Sequence, residues 1–484
     1  MQTSLLISLL GTISVAVAQY GPAQFVKHDR KICTVAAGGT NATDDAPAIL
    51  QAFEECGHGG TVVFEDTTYY VNSVMNVSGL KDCYIDFRGT LMWSTDIQYW
   101  LNYSLPVGYQ NQSTAFKLGG DRVLLDGHSQ GTFDGNGAVW YRYAAGISNL
   151  KGRPHALTLD GLTNSKVTGL NMLRSQMWTF SIIHSHNSSF ENIFVNNTAL
   201  DGSSSANTDG ADTIFSSHLT FRNWTVVSKD DSISFKANST DIAVTDSLFI
   251  NGLGIAIGSI GQYKDQFETI ERIKADNIRF TNTLHAAYFK TWTGEQVGYP
   301  PNGGGGGLGY ARNLSFTNLY GTSFRGAPFS VSQCTTFSGT DGNCTSSKFE
   351  LGDIEFANFD GTAAKSTMAS FQCSAVEPCH DISITNATLA TTGTIAYLCD
   401  NVASSSTRRS GGRAAVFQID DGLPLATQAR HERDQGRFCG VVPAQIRCVE
   451  HHDRTAHDDV VLCDLRRHFV PGEVLVGDCG VCVA

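Results

Sequence analysis

The chain has 484 residues, of which 17% are charged, with 49 glycines and only 11 prolines. This composition excludes coiled coils, collagen and charged disordered proteins. The formal net charge of −12 argues against a general nucleic-acid binder and against a polybasic membrane binder, so we expect neither kind of partner. Length alone would suggest several domains, but an all-β solenoid escapes that estimate because it grows in one dimension.

The N-terminus is typical of a secretory signal peptide over residues 1–18. Residues 5–17 form an apolar run that is too short to span a bilayer comfortably, and Ala16-Val17-Ala18 fits the small-x-small cleavage rule. We therefore expect a secreted, extracellular protein that starts at Gln19, and its thirteen cysteines suit an oxidising compartment. The candidate N-glycosylation sites are Asn41, Asn76, Asn102, Asn111, Asn187, Asn196, Asn223, Asn238, Asn313, Asn343 and Asn386.

One helix is predicted near the start of the mature chain. Residues 44–55 begin with an acidic Asp44-Asp45 cap and place Ile49, Leu50 and Phe53 at helical spacing. We expect this helix to cover the open end of a stack of strands, where strand edges would otherwise be exposed. Asp44-Asp45 is accordingly interpreted as a helix cap and not as a catalytic pair.

Short segments that alternate apolar and polar residues recur through the middle of the chain, mostly about 22 to 30 residues apart. They are residues 165–170, 189–195, 218–224, 241–247, 268–273, 312–317, 353–356 and 381–385. Repeated strands without helices between them predict a parallel β-helix, whereas the strands of a β-sandwich would come at closer spacing. Asn recurs at the turn after a strand, where it tolerates a left-handed backbone and can bond the next coil. These asparagines are Asn223, Asn251, Asn282, Asn318 and Asn358.

The positions of the cysteines and the choice between Arg and Lys divide the chain into two parts. Plausible local disulfides are Cys33/Cys56, Cys334/Cys344 and Cys373/Cys379, while Cys83 and Cys399 have no obvious mate. From Arg408 onward there are ten Arg and no Lys, the strand period has stopped, and five further Cys appear. We predict a folded domain over residues 19–406 and an atypical tail over residues 407–484 that is not part of the fold, as a misread splice site or frame shift would produce. An appended disulfide-bonded domain is the alternative.

The densest group of polar motifs spans residues 207–261. Asp209 lies 21 residues before Asp230, and Asp231 lies 22 residues before Leu253, so a coil of that length would stack Asp209, Asp230 and Asp231 on one face. Repulsion among three close carboxylates raises at least one pKa and keeps a proton available for donation. Inverting glycoside hydrolysis needs such an acid together with a carboxylate that holds water. Turn aspartates or a Ca²⁺ site are the alternative interpretations.

At these motifs the chain resembles the pectin-degrading glycoside hydrolases of family 28, the polygalacturonases and rhamnogalacturonan hydrolases, over about residues 33–402. The matching motifs are Asn207-Thr208-Asp209-Gly210, Asp230-Asp231, the Gly-x-Gly-Ile-Ala-Ile-Gly-Ser run from Gly252, Tyr288-Phe289-Lys290-Thr291-Trp292, Cys56-Gly57-His58-Gly59-Gly60 and Asp134-Gly135-Asn136-Gly137. The resemblance implies a right-handed, pectin-lyase-like parallel β-helix and inverting hydrolysis without a metal or another cofactor. It also implies that Asp230 is the general acid and that Asp209 and Asp231 activate water.

Two motifs depart from the family pattern. The usual Gly-His-Gly is Gly252-Leu253-Gly254, and the usual Arg-Ile-Lys is Tyr288-Phe289-Lys290; the literal Arg272-Ile273-Lys274 lies inside a strand segment and is not taken as that motif. Lys290 can still hold a uronate carboxylate as a point charge, without the bidentate fork of an Arg.

Other side chains are weaker candidates for substrate contact. Tyr288 and Asn207 join Lys290 as expected substrate-binding residues. Trp178 is a candidate for stacking on a sugar, although core packing is an equal alternative. The glycine-rich run over residues 303–307, preceded by Pro300-Pro301-Asn302, is expected to be a mobile loop at the border of the cleft.

These departures resemble exo-acting and rhamnogalacturonan-directed branches of the family. The expected protein is a monomeric, secreted, exo-acting galacturan 1,4-α-galacturonidase that acts on pectic polysaccharide or oligosaccharide. A rhamnogalacturonan-directed exo-hydrolase or α-L-rhamnosidase is the alternative in the same family. Of other classes, a pectate lyase would need Ca²⁺ and an Arg base, and a non-catalytic carbohydrate-binding solenoid would not need three acids.

Overall fold

The computed structural model describes residues 30–296, 304–336 and 342–403, together with the backbone of two short strands at 418–420 and 438–439. The predicted signal peptide lies outside the described residues. The tail does too, apart from Gln418–Asp420, which pairs in parallel with His380–Ala390, and Phe438–Cys439, which pairs antiparallel with Ala396–Asp400. The predicted boundary near residue 406 therefore stays a prediction.

The described chain is a right-handed parallel β-helix, as the sequence predicted. Its strands form two large sheets, in which nearly every strand pairs in parallel with its counterpart in the neighbouring coil. We call the twelve-stranded sheet the cleft sheet. Its strands are Met75–Lys81, Phe116–Asp121, Leu157–Asp160, Phe180–Ile183, Ala211–Ile214, Asp231–Phe235, Gly254–Ile260, Ala287–Trp292, Phe329–Thr335, Thr367–Gln372, Ala396–Asp400 and Phe438–Cys439.

We call the seventeen-stranded sheet the back sheet, and it contains all eight segments predicted from the sequence. Its strands are Ile32–Thr34, Thr61–Phe64, Thr68–Val71, Tyr84–Phe87, Thr90–Trp93, Leu124–Asp126, Thr132–Asp134, Lys166–Thr168, Asn171–Leu173, His186–Asn196, Ser217–Val227, Ser239–Ile250, Phe267–Thr281, Leu308–Phe324, Lys348–Ala363, His380–Ala390 and Gln418–Asp420. A small third sheet joins Leu105–Pro106, Ser113–Thr114 and Pro154–His155.

The core fills the inside of the coils with apolar side chains that stack from one coil to the next. Phe190 lies on Phe221 with ring centroids 5.1 Å apart, and Phe356 contacts Phe329 at 4.2 Å. Offset aromatic pairs of this kind contribute about 0.5–1.5 kcal/mol beyond the burial of their area. The inward rows therefore fix the register that brings polar residues together on the outside of the cleft sheet.

The asparagines predicted at turns form two separate ladders. In the longer ladder, Asn223 donates to Asn192, Asn277 to Asp246, Asn358 to Asn318, and Asn386 to Asn358. In the shorter ladder, Asn282 donates to Asn251 at 2.9 Å. All of these residues have a positive φ. The prediction that Asn bonds between coils is confirmed, but its five residues belong to two different turns.

The predicted N-terminal helix is present as Ala46–Cys56, and it packs against the first strands of both sheets. Asp45 is its N-cap residue, but its carboxylate accepts from the backbone N–H groups of Gly38 and Tyr70 instead of the helix. Asp44 takes the capping role, since its Oδ1 accepts from Ala46 N at 3.1 Å. Two shorter helices, Ile97–Tyr103 and Ala138–Tyr143, lie in connections between strands.

All three predicted disulfides form. Cys33–Cys56 joins the first strand to the capping helix, Cys334–Cys344 closes a loop after the strand Phe329–Thr335, and Cys373–Cys379 closes a six-residue separation near the C-terminal coils. Cys83 is a buried free thiol, and burial raises its pKa to about 12. A thiol held in this neutral form is a poor nucleophile, so Cys83 is a core residue.

Candidate active site

The three predicted acids meet at the outer surface of the cleft sheet. Asp231 begins the strand Asp231–Phe235, Asp230 immediately precedes it, and Asp209 precedes the neighbouring strand Ala211–Ile214. One carboxylate oxygen from each lies within 4.8 Å of the others. The coil spacing in the sequence therefore predicted their convergence correctly.

Asp231 is buried and held by two residues of the strand Ala287–Trp292. The Tyr288 hydroxyl donates to its Oδ1, and Lys290 Nζ donates to its Oδ2 at 2.9 Å. Both donors lie on the outward face of the cleft sheet, two positions apart. Although burial opposes it, the negative charges of Asp231 and Asp230 raise the pKa of Lys290, so the ammonium stays charged. The lysine expected to contact substrate is thus already an ion-pair partner of an acid.

Asp230 is the most accessible of the three acids, being half-buried. Its Oδ2 accepts from Asn207 N at 2.9 Å and its Oδ1 from Asp231 N at 3.0 Å. Burial and the charge of Asp231 raise its pKa, whereas Lys290 and these two N–H donors oppose the rise. Asn207 holds this acid through its backbone, while its side-chain Oδ1 accepts from Asn149 N at 3.1 Å.

Asp209 is the carboxyl with the strongest preference for the neutral form. It is 3% exposed, and its Oδ1 has no hydrogen-bond partner. Burial, followed by repulsion from Asp230, Asp212 and Asp231, raises its pKa well above the usual range. The cluster therefore retains at least one proton where isolated aspartates would be ionised.

The glycines of the Gly252-Leu253-Gly254 motif let the backbone pass close to the acids. A Cβ at Gly252 would lie 2.5 Å from Asp230 O, and Gly254 has φ +105° with its Cβ position 2.3 Å from His285 O. Leu253 N donates to Asp230 O, and Leu253 O accepts from His285 N. The backbone therefore requires both glycines of the motif, although Leu253 replaces the usual His between them.

A buried ion pair next to the acids was missed in the sequence. Asp212 lies 3.2 Å from Lys236 Nζ, and both side chains are at most 4% exposed. Burial raises the pKa of Asp212 to about 7, with Lys236 opposing the rise. The Lys236 ammonium also lies 4.8 Å from the centre of the Trp178 ring. The signal was available: Asp212 belongs to the same motif as Asp209, and Lys236 follows Asp230 by six residues.

Trp178 is a packing residue in this structure. Its ring is 4% exposed and stacks on His155 at 4.4 Å, besides contacting Lys236. His155 is itself fully buried, and its Nδ1 forms a hydrogen bond of 2.6 Å with Ser181 Oγ. Of the two alternatives for Trp178, the geometry supports packing beneath the site and not stacking on a sugar.

Arg153 is a second buried cation that the sequence did not single out. It is 2% exposed, and its Nε donates to Gln176 O. Burial lowers its pKa to about 10, and the charges of Tyr141, Asp230 and Asp209 oppose that fall. Its guanidinium is therefore close enough to Asp230 and Asp209 to interact with their charges.

A strap, defined as residues 105–112, covers one side of the cleft sheet. Val107 and Tyr109 pack on Met177, which precedes the strand Phe180–Ile183, and on Ile183 and Ile214, which face outward from the sheet. Gln110 fastens the strap to the sheet edge, because its N–H donates to Tyr263 OH at 3.1 Å and its Nε2 to Gln262 Oε1 at 2.7 Å.

The cover of the outer face extends past the acids, because Gly254–Ile260 and Ala287–Trp292 are also buried at all but one position each. Every residue is buried in the strands Phe180–Ile183, Ala211–Ile214 and Asp231–Phe235, which means that both faces are covered. In Phe329–Thr335 and Ala396–Asp400 buried and half-buried residues alternate, so the outer face is open. The acids thus lie in the covered part of the sheet, and the outer face is open from the strand Phe329–Thr335 onward.

Two further expectations are answered by the described residues. Arg272 bonds Asp241 on the back sheet at 2.6 Å, so it is not part of the site. Four of the five residues of the glycine-rich run, 304–307, are described. They are buried and donate backbone hydrogen bonds to Gly261, Gln262 and Thr293, which corrects the expected mobile loop for this part of it. Residues 300–303 lie outside the described residues.

Within the part of the chain that is described, no helix combines the length and the apolar composition needed to cross a membrane. The sequence model of glycosyl hydrolases family 28 matches residues 73–408. The chain is 57% identical over 379 residues to Alpha-L-rhamnosidase rgxB of Aspergillus niger, covering 78% of this chain and 88% of that protein. It is 36% identical over 400 residues to Putative galacturan 1,4-alpha-galacturonidase A of Aspergillus niger, covering 76% of this chain and 91% of that protein.

A solved structure agrees with the fold. The endo-xylogalacturonan hydrolase of Aspergillus tubingensis superposes with a TM-score of 0.63 at 27% identity, covering 77% of this chain and 96% of that chain. The match of the family model extends over more than half of the sequence and includes all three converging acids. On this evidence the chain belongs to family 28 of the glycosyl hydrolases and is an enzyme of that family.

Proposed function

We propose that this enzyme is an exo-acting α-L-rhamnosidase that removes terminal rhamnose from pectic oligosaccharides outside the cell. The observation that carries the choice of sugar is the engagement of the two lysines that face the acids. Lys290 is bonded to Asp231, and Lys236 is paired with Asp212. A uronate carboxylate in the covered subsite would have to compete with an aspartate for either ammonium.

The negative potential of the clustered carboxyls also favours a neutral sugar. Mutual repulsion contributes to the raised pKa of Asp209, and Asp231 contributes to those of Asp230 and Asp212. An added uronate charge would meet this negative potential, whereas the methyl group of a 6-deoxy sugar would not. On the covered side, Met177 of the apolar cluster lies two residues before Thr179, whose N–H donates to Asp209 O. The similarity to a relative named as an α-L-rhamnosidase supports the same choice.

Exo action is supported by the strap. Because it covers the outer face at the C-terminal ends of the strands whose N-terminal ends carry the acids, it blocks a polymer on that side of the scissile bond. Only a chain end then reaches Asp230, with the remainder of the substrate lying along the open side towards the strand Phe329–Thr335.

In the proposed mechanism Asp230 donates a proton to the glycosidic oxygen, since it is the accessible acid with a raised pKa. Asp209 and Asp231 hold the attacking water. Both oxygens of Asp231 already accept from Tyr288 and Lys290, which suits a carboxylate that orients water better than one that attacks carbon. The oxygens lie closer together than the ~6.5–9.5 Å between carboxyl groups usual for inverting enzymes, so the product anomer is a necessary test.

A second candidate is an exo-acting galacturonidase. Lys290 favours it, because 27% of its side chain remains exposed on the open side of the acids, where a uronate could share the ammonium with Asp231. Three relatives at 34–36% identity are named as putative galacturan 1,4-alpha-galacturonidases. In the rhamnosidase the same lysine would meet the second sugar and not the one that is released.

The deciding experiment offers two oligosaccharides of equal length, one ending in rhamnose and the other in galacturonate. Chromatography identifies the sugar released, and proton NMR of the first product identifies its anomer. The proposal expects free rhamnose, with inversion and with unchanged rates in EDTA. Release of galacturonate alone supports the second candidate, and unsaturated products that need Ca²⁺ would establish a lyase.

A further inference from the structure

We propose a second sugar-binding site, for a neutral pyranose, in the pocket on the side of the strap away from the acids. This pocket has a volume of about 520 Å³ and is walled by Tyr109, Phe215, Tyr263 and Glu268. Ligand pockets span about 300–1,000 Å³, so the space admits one or two sugar rings. Nothing in the proposed hydrolysis uses these residues as reacting groups.

The pocket is separate from the acid cluster. None of Asp209, Asp230, Asp231 and Lys290 lines it. Phe215 follows the C-terminal end of the strand Ala211–Ile214, whereas Asp209 precedes the N-terminal end of the same strand. Six residues of extended chain separate them by roughly 20 Å. The Gln110 bonds to Tyr263 and Gln262 close the strap between the two sites.

Aromatic rings give the pocket the surface that sugars stack on. Tyr109 meets Phe215 edge to face at 5.7 Å and Tyr263 at 6.2 Å. Phe215 has φ +48°, although His184 and Asn238 occupy the equivalent turn in the adjacent coils. A bulky residue rarely adopts the left-handed region, where His and Asn are better tolerated. Such backbone strain clusters at ligand clamps, and here it places an aromatic side chain at the pocket wall.

The polar lining selects a neutral sugar. Gln110, Asn111, Gln112 and Gln266 supply amide donors and acceptors for hydroxyl groups, and the lining contains no Lys or Arg. Glu268 is 4% exposed; Gly261 N donates to its Oε2, and burial raises its pKa. A buried carboxyl without a cation beside it in the lining disfavours a uronate and accepts or donates hydrogen bonds to hydroxyls. The ligand class is therefore a neutral pyranose, as a free sugar or as part of an oligosaccharide.

The test follows the ring resonances of Phe215 and Tyr263 in full-length protein with labelled Phe and Tyr. The Asp230→Asn background removes turnover, so the result does not depend on the proposed hydrolysis. The probes are methyl α-L-rhamnopyranoside, methyl β-D-galactopyranoside and sodium galacturonate. Gln266→Trp fills the pocket from an exposed position, and Gln51→Trp on the capping helix is the matched surface control.

We expect the resonances of both rings to shift saturably with at least one neutral sugar. Galacturonate should bind at least tenfold more weakly. Gln266→Trp should weaken binding of the neutral sugar at least tenfold, and Gln51→Trp should not. Unmoved rings with both neutral probes, or equal binding by the two Trp variants, would overturn the proposal. So would electron density showing a glycan attached to Asn111 filling the pocket of the secreted protein, because the chain's own modification would then be the occupant.

Discussion

At the scale of single residues, the three acids differ in what their oxygens touch. Asp231 receives a hydroxyl and an ammonium, Asp230 receives two backbone N–H groups, and Asp209 has an oxygen without a partner. Side chains therefore hold Asp231 and peptide groups hold Asp230, while burial and neighbouring charges raise the pKa of both Asp230 and Asp209. This division allows adjacent carboxyls to serve as acid and base in one reaction.

Asp230→Asn should abolish hydrolysis without unfolding the chain. The amide is isosteric but donates no carboxylic proton, and general acid catalysis contributes roughly 10²–10⁴-fold. Sugar release would be measured together with circular dichroism, and Asp241→Asn on the back sheet is the matched control. Turnover near the wild-type rate in folded Asp230→Asn protein would refute the assignment.

Lys290→Met should reduce activity on rhamnose-terminated and galacturonate-terminated substrates alike, because the lysine holds Asp231. Lys290 lowers the pKa of Asp230 and of Asp212, so its removal raises them. The alkaline limb of the kcat/KM profile, where Asp230 loses the proton that it donates, should then move to higher pH. A loss confined to KM on uronate substrates, with an unchanged profile, would instead make Lys290 a substrate-binding residue, as the sequence suggested.

The Asp212–Lys236 pair leads to a prediction about stability and pH. The folded pKa of Asp212, about 7, exceeds the unfolded value of about 3.9. As the pH rises, Asp212 therefore loses its proton at a lower pH in the unfolded state than in the folded state. The free energy of unfolding should then fall by a few kcal/mol between about pH 4 and about pH 7. Urea titrations of Asp212→Asn should show a shallower fall. The slopes are compared, because this substitution also removes a partner of Lys236, and equal slopes would mean that Asp212 ionises freely.

At the scale of elements, the strap determines which end of the cleft is closed. Replacing residues 107–111 with Gly-Gly should leave the hairpin pairing of Leu105–Pro106 with Ser113–Thr114 possible while it removes the cover. We expect a rise in internal cleavage, seen as a faster loss of polymer viscosity for each reducing end formed. Tyr263→Phe, which removes only one hydrogen bond to the strap, is the milder comparison. A folded variant that still releases only terminal sugars would show that another element sets exo action.

The back-sheet strands were predictable because they are long and alternate buried with exposed residues. Strands such as Phe267–Thr281 alternate buried and exposed residues over many positions, which produces a period-two pattern. Cleft strands such as Ala211–Ile214 are short and buried on both faces, so they carry no alternation. Their outer cover comes from the strap, about one hundred residues earlier in the chain, and local patterns contain no record of that contact.

The same distinction explains which site residues were predicted. Asp209, Asp230 and Asp231 lie in compact motifs separated by one coil, so counting residues was sufficient. Asp212 and Lys236 form a pair only because the sheet register aligns Asp212 with Ser234, two residues before the lysine. Arg153 and His155 come from a connection whose position depends on the small sheet with Ser113–Thr114. These contacts follow from three-dimensional register and not from spacing.

At the scale of the whole molecule, each coil contacts mainly its neighbours, as in other solenoids. The acids lie in the middle of the stack, far in sequence from the atypical tail. A chain ending after Ser406 should therefore keep its hydrolytic activity and lose little stability. Activity and thermal unfolding would be compared with those of the full chain. Loss of folding on truncation, or protease-resistant peptides containing Phe438, would show that the tail contributes to the native protein.

The asparagine ladders also determine how the molecule ages chemically. Asn is a thermolabile residue, and its conversion to Asp replaces a donor with an acceptor. Asn358 donates to Asn318, so an aspartate at 358 would bring two oxygens together and open that rung. Asp246 is tolerated because Asn277 donates to it. Prolonged heating should therefore break the hydrogen bonds of the ladders one at a time, before it affects the three acids. Peptide mass mapping of heated protein for Asn-to-Asp conversion would reveal the order.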